Sequence, residues 1–195
     1  MSIEINIQND LERAARGVDY MNHDAIPKAA KSALNRAVVS MRKESTKLIP
    51  KELRLRPTNL KERYMRLKKA QGMTIGGLEG EIAYLTDPVP LLEFVRGSKD
   101  VIAQKGIKVK NRRKLRVEIR PGKRFVLKRA FIQRAITKQV FKRAQGSKAF
   151  KKQSAPSVGY VVLYRKMHLA IVEAGMDTFR KNFAGELAFR LSKRT

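Results

Sequence analysis

The sequence predicts an α+β fold, in which an antiparallel or mixed β-sheet packs against a long N-terminal helix and a long C-terminal helix. Three observations lead to this prediction. Apolar residues recur at helical spacing near both ends of the chain. The middle of the chain alternates between apolar and polar residues, as half-buried strands do. With 195 residues, 43% of them hydrophobic, the chain is long enough to bury a substantial core.

The order of these patterns predicts one domain over 1–195, with a helical region at 1–70, a strand-rich region at 78–164 and a C-terminal helix at 165–192. A short strand is expected at 2–7, where Ile alternates with polar residues. A short helix is expected at about 10–18.

The first long helix is predicted from about Asp24 to Leu48. Its apolar positions recur in steps of three and four, and many of them are alanine, which permits close packing. Pro50 is expected to end it. A second, shorter helix is predicted from Thr58 or Asn59 to about Ala70, with Asn59 and Glu62 spaced as a capping box.

Strands are expected from about Glu81 to Gly159. The stretch 88–95 is predicted as an apolar strand, and the turns are placed at Pro121–Gly122 and at 146–147. The alternating stretches 107–110 and 115–120 predict a basic hairpin with its tip at 111–114. The stretch 160–164 is predicted as a final strand, with a lead-in to the last helix as the alternative.

Positive charge dominates the composition and is concentrated late in the chain. Lys and Arg number 44 against 17 Asp and Glu, giving a net charge of +27. Residues 1–100 carry 18 basic and 13 acidic side chains, whereas residues 101–195 carry 26 basic and 4 acidic ones. This asymmetry favours a polyanionic partner over a merely solvated surface.

Two basic clusters are the candidate contacts for DNA phosphates or for an acidic partner. The clusters comprise Lys108, Lys110, Arg112, Arg113, Lys114 and Arg116, followed by Lys123, Arg124, Lys128 and Arg129. The phenylalanines in this block could stack on bases, but Phe125 and Phe131 lie among aliphatic residues and are expected in the core.

Four acidic residues, in contrast, occur in a stretch without Lys or Arg between them, and they predict an acidic patch at a subunit interface. These residues are Glu79, Glu81, Asp87 and Glu93. Such a patch could meet the basic block of a second copy of the chain.

The residues that enzymes use are scarce, so the sequence predicts no enzyme, no cofactor and no metal site. The chain has no Cys and only two His, His23 and His168, which lie far apart in sequence. Glu79 and Glu81 could contribute to a magnesium site of a nuclease, but nothing fixes the further ligand that such a site needs. No apolar stretch approaches the roughly 20 residues of a membrane span, and no signal peptide is visible.

Several segments together resemble the minor tail protein Z family, the tail-completion proteins of long-tailed bacteriophages. The basic hairpin belongs to this resemblance, and Arg129 occupies a position where the family usually has Gly. The other segments are the Ala-rich 29–38, the basic 60–70, Pro90–Phe94, the Ala-Phe-Ile of 130–132, and 154–158, which leads into the last helix.

The resemblance implies a structural virion protein without enzymatic activity, placed at the head-proximal end of the tail or in the neck and assembled in the host cytoplasm. Its implied partners are further copies of itself in a ring around the DNA path, and other tail, terminator or neck proteins. Viral double-stranded DNA in the channel is a further candidate partner. The alternative is a sequence-independent cytoplasmic nucleic-acid-binding protein.

Overall fold

Two long helices, α1 (Ala25–Glu52) and α4 (Met167–Ser192), pack against each other at the centre of the fold. The computed structural model describes residues 2–4, 25–71, 78–95, 115–128, 130–133, 139–143 and 150–192. The helices run antiparallel, because Arg36 reaches Asn182 and Glu186 while Ser40 bonds to the Ala174 carbonyl. The alanines predicted to allow close packing are buried on α1. They face the apolar core to which Ile171, Gly175, Phe179 and Phe183 of α4 contribute.

Helix α1 extends beyond its predicted end. It runs through Pro50 to Glu52, so the expectation that Pro50 ends it was wrong. A proline in the last turn removes only its own N–H donor, and the next turn still closes where the Leu53 amide donates to the Ile49 carbonyl at 2.8 Å.

The second predicted helix is much shorter than expected. A helical segment, α2, comprises Pro57–Asn59 and a π-helical continuation, Leu60–Tyr64; the chain then becomes strand β2, Met65–Lys68. Pairing with the neighbouring strand overrides the helical periodicity here. The capping box is also wrong, because the Asn59 amide donates to Glu93 and makes no cap.

Among the described residues, the strands form four small antiparallel sheets rather than the one sheet that was expected. The first has the order β1-β3-β2, with β1 at Ser2–Glu4 and β3 at Glu81–Tyr84. The second pairs β4 (Val89–Pro90) with β10 (Ser154–Ala155).

The strands of the other two sheets carry eight of the 19 Lys and Arg residues of 101–152, the basic block. The hairpin sheet consists of β5 (Leu115–Arg120) and β6 (Lys123–Leu127). The lysine sheet has the order β7-β8-β9, with strands Ala130–Gln133, Gln139–Arg143 and Phe150–Lys152. An α+β fold with long helices near both ends is therefore confirmed.

Two segments predicted as strands are mainly helical. Only Val89–Pro90 of the stretch 88–95 is a strand, and a 3-10 helix follows at Leu91–Phe94. The stretch 160–164 belongs to helix α3, Val158–Tyr164, which confirms the lead-in alternative. Ser157 caps α3 by accepting a 3.1 Å hydrogen bond from the Tyr160 amide, which offsets the β-branched residues that favour a strand.

Several predicted elements lie outside the described residues: the end of the strand at 2–7, the helix at 10–18, the first hairpin strand at 107–110 with its tip at 111–114, and the turn at 146–147. Within the described residues, none of the helices combines the length and the apolar character needed to cross a membrane.

Candidate polyanion-binding surface

The hairpin sheet projects a strand that is exposed on both of its faces. Its turn is the predicted Pro121–Gly122, where Gly122 has φ +78°, a conformation that favours glycine. All residues of β6 except the last are exposed, because the described part of this sheet has two strands and β6 lies at its edge. Arg116, Lys123 and Lys128 are exposed on or beside it.

Glu118 is the lone acidic residue of 101–152, and it is buried under the hairpin. Its carboxylate forms ion pairs with Arg54 and, at 3.1 Å, with the Nε atom of Arg124. It also accepts a hydrogen bond from the Gly122 amide. Glu118 thus links the turn to the end of α1 and offsets one of the two arginine charges.

The lysine sheet places like charges directly opposite each other. Lys142 on β8 pairs in register with Lys151 on β9, and both side chains are exposed, as is that of Lys152. Like charges opposite each other in a sheet repel. None of the three has a carboxylate partner among the described residues. A bound anion would relieve the repulsion.

Aromatic rings accompany these lysines. Phe131 stacks on Phe141 at 6.1 Å and meets Phe150 edge to face at 5.0 Å. Phe150 is 53% exposed. The expectation that Phe125 and Phe131 lie in the core was wrong: Phe125 is exposed and Phe131 is only half-buried, because both lie in small sheets.

The two basic sheets contact one segment of the chain. The 3-10 helix Leu91–Phe94 contacts both β5 of the hairpin sheet and β8 of the lysine sheet. The carboxylate on this segment, Glu93, is bound by Arg63 at 2.8 Å and by Asn59 at 2.8 Å. It therefore does little to offset the lysines.

The predicted basic contacts divide into three groups. Arg116, Lys123 and Lys128 are exposed, whereas Arg124 is paired with Glu118. Lys108, Lys110, Arg112, Arg113, Lys114 and Arg129 lie outside the described residues. Sequence reasoning did not single out Lys142, Lys151 and Lys152, although the sequence Phe-Lys-Lys at 150–152 combines the aromatic and basic residues that suit nucleic acid.

The four acidic candidates occupy different environments. Glu79 and Asp87 are exposed, and Glu79 lies 4.0 Å from Lys68. Glu81 pairs in register with Lys68 on β2, and Glu93 is bound by Arg63 and Asn59. Their role at a subunit interface stays a prediction, for which Glu79 and Asp87 are the accessible members.

The described residues contain no group of three His, Asp or Glu side chains that could hold a metal ion. His168 has a buried Nδ1 atom without a hydrogen-bond partner in the described part of the chain. The arrangement can therefore attract phosphates through charge and can stack on bases, and it offers no fixed pattern of donors for reading base edges.

Comparison with known proteins finds no protein family, no curated protein and no solved structure that matches this chain. The resemblance to the minor tail protein Z family therefore stays a prediction from the sequence.

Proposed function

We propose that this chain is a structural protein of a bacteriophage tail that completes the head-proximal end or neck and faces the DNA path with its two basic sheets. The observation that supports contact with DNA is the exposed positive charge of the hairpin sheet and the lysine sheet. Exposed lysines occur on both sheets, while the one acidic residue of the block is buried and already paired. Duplex DNA, with one charge per ~1.7 Å of its axis, is the polyanion that such a surface suits.

The placement in a virion rests on the resemblance in sequence. The segments that carry it include buried core positions as well as basic ones. Ala29, Ala30 and Leu34 lie in the buried face of α1, and Ala155 and Val158 lie in the core near the start of α3. The resemblance thus draws on residues that set the fold, and the proposal includes no catalytic step.

Electron microscopy of tails assembled with and without this protein, paired with an infectivity assay, tests the proposal. We expect tails that lack the protein to reach full length but to yield few infectious particles. Unchanged tails together with unchanged infectivity would contradict the role in the tail.

A second candidate function is sequence-independent binding of single-stranded nucleic acid. The exposed ring of Phe150 beside Lys151 and Lys152 favours it, because stacking of a base on an aromatic ring contributes about 1–3 kcal/mol.

Replacement of Phe150 by Ala separates the two functions. If bases stack on this ring, Phe150→Ala should weaken binding of a single-stranded oligonucleotide about 5- to 100-fold and leave duplex binding nearly unchanged. Phe125→Ala, on the other basic sheet, is the matched control. Equal effects of the two variants on both nucleic acids would count against stacking at Phe150.

A further inference from the structure

Helix α3 is apolar on every side. Its seven residues, Val158–Tyr164, include no charged side chain. Val158, Val161 and Val162 face the core, whereas Tyr160, Leu163 and Tyr164 are more than half exposed. A helix that is hydrophobic all round is normally buried on all sides. The exposed side of α3 is therefore a surface that a partner would be expected to cover.

The exposed side of α3 is already ordered for a contact. The rings of Tyr160 and Tyr164 stack at 5.5 Å, and the Arg165 guanidinium lies over Tyr164 at 5.6 Å. Rings held in this way lose little conformational freedom when a partner packs on them. A groove of about 240 Å³ runs beside the two rings, and Leu53, Ile119 and Pro156 contribute its apolar wall.

The charges at this groove are paired within the chain. The Glu52 carboxylate lies 3.1 Å from Arg165 and 3.9 Å from Arg120, and all three residues line the groove. The carboxylate offsets one of the two guanidinium charges, so the groove attracts phosphates less strongly than the lysine-bearing sheets do. An acidic protein would be drawn instead to the two basic sheets, where the lysines lack carboxylate partners among the described residues.

A second copy of the chain is the occupant that this surface fits. Each copy carries +27, so most contacts between copies would bring cations together. The segment 153–164 contains no charged residue in a chain with 31% charged residues. Copies that meet through α3 avoid that repulsion and bury the exposed apolar side chains.

We infer that the exposed side of α3, formed by Tyr160, Leu163 and Tyr164, is a contact between two copies of this chain. This contact would locate the self-association that the resemblance to the tail-completion family implies, and it goes beyond the proposed contact with DNA. Oligomeric mass is measured on the purified chain, so failure of the tail assay with an intact oligomer would count against the tail role and not against this contact.

The first experiment measures molar mass by light scattering over a range of concentrations for the wild type, Leu163→Asp and Val39→Asp. Val39 is a matched control, because both residues are 51% exposed on a helix. Val39 also lies about 20 Å along α1 from Glu52 at the groove. We expect an oligomer for the wild type and for Val39→Asp. Leu163→Asp should dissociate at least tenfold more readily and reach the single-chain mass of 22.2 kDa.

A wild type that stays at the single-chain mass at every concentration would overturn the inference, as would equal masses for the two variants. Far-UV circular dichroism and thermal unfolding of both variants establish that each is folded, so that a change in mass reports association.

The second experiment uses the fact that the chain has no Cys. Leu163→Cys and Val39→Cys each introduce one thiol, whose rate of alkylation is measured over the same concentrations. We expect the rate at position 163 to fall several-fold as the oligomer forms, while that at position 39 stays constant. A constant rate at 163 in an oligomer, or protection that appears only after duplex DNA is added, would assign the contact elsewhere and overturn the inference.

Discussion

Gly80 allows the β1-β3-β2 sheet to lie directly against α1. A Cβ atom at this position would lie 2.6 Å from Cγ2 of Val38 and 3.0 Å from Cγ of Leu34, and both of those side chains are fully buried. Close approach between two elements leaves no local signal in the sequence, so this role could not have been predicted.

Gly80→Ala should therefore destabilise the protein by about 1–3 kcal/mol, because the buried neighbours have little room to move. Gly185→Ala is the matched control: a Cβ there meets nothing within 4 Å, and alanine favours α4 by up to about 1 kcal/mol. Urea unfolding measures both changes. Equal stability of the Gly80 variant and the wild type would contradict the close contact.

Tyr84 links stability to pH through a buried hydroxyl pair. Ser45 donates to the Met41 carbonyl at 2.7 Å, and its Oγ lies 2.5 Å from the Tyr84 hydroxyl. Burial raises the pKa of Tyr84 to about 12, and the hydrogen bond with Ser45 opposes this only in part. The folded protein thus holds this proton more tightly than the unfolded chain, whose tyrosine pKa is about 10.

The stability that this tyrosine contributes should be complete below pH ~10 and should be lost as the pH rises from about 10 to 12, by roughly 2–3 kcal/mol. Lysines also titrate in this range, so the test compares urea unfolding of the wild type with that of Tyr84→Phe. The difference between the two should change with pH over this range. A difference independent of pH would show that Tyr84 does not ionise on unfolding.

Among the elements, the hairpin sheet depends on a single carboxylate. Glu118 is 3% exposed and binds Arg54, Arg124 and the turn amide of Gly122. The backbone of Arg54 also donates to the Ile119 carbonyl at 2.8 Å. The basic surface is thereby held at the end of α1.

Glu118→Gln should lower stability by about 1–3 kcal/mol, because a neutral amide leaves two arginines without their counter-ion. Amide hydrogen exchange should quicken mainly in 115–127, while α1 and α4 keep their protection. Glu79→Gln, at an exposed carboxylate, should change neither. Uniformly faster exchange in all elements would indicate that Glu118 supports the whole fold rather than the hairpin.

Sequence patterns predicted elements where one periodicity extends over many residues. Helices α1 and α4 and the strand at 115–120 repeat one pattern far enough to be identified, and their positions are confirmed. The prediction of a helix at 65–68 was wrong, because these residues have helical spacing but pair with β3 as strand β2. Helix α3 was predicted first as a strand, because an all-apolar run of seven residues has no periodicity that separates the two.

The candidate site was predictable in charge but not in geometry. The distribution of charge along the sequence located the basic block, and Lys123 and Lys128 of this block are exposed, as expected for a contact surface. The opposed pair Lys142 and Lys151 depends on the register of β8 and β9, which the sequence alone does not determine. The burial of Glu118 likewise depends on the distant Arg54.

On the scale of the whole molecule, the exposed side of α3 differs in charge from the two basic sheets. Among the described residues, the exposed lysines of these sheets have no carboxylate partner, whereas α3 itself contains no charged side chain. Such a difference suits a protein that binds a polyanion on one surface and copies of itself on another. Both surfaces belong to small elements around the helix pair, and their exposed side chains lie outside the buried core.

The central claim is that the chain binds duplex DNA through its two basic sheets. The dependence of duplex-DNA affinity on salt tests it most directly. Two triple variants are compared, each lowering the net charge by three: Lys123, Lys142 and Lys151 to Ala on the sheets, and Lys43, Lys47 and Lys181 to Ala on the exposed faces of α1 and α4. Each phosphate contact contributes about −0.9 to the slope of log affinity against log salt. We predict that the negative slope becomes shallower by about 2 to 3 for the sheet variant and by less than 1 for the helix variant. Equal losses for the two variants, or duplex affinity that does not change with salt, would contradict binding through the basic sheets.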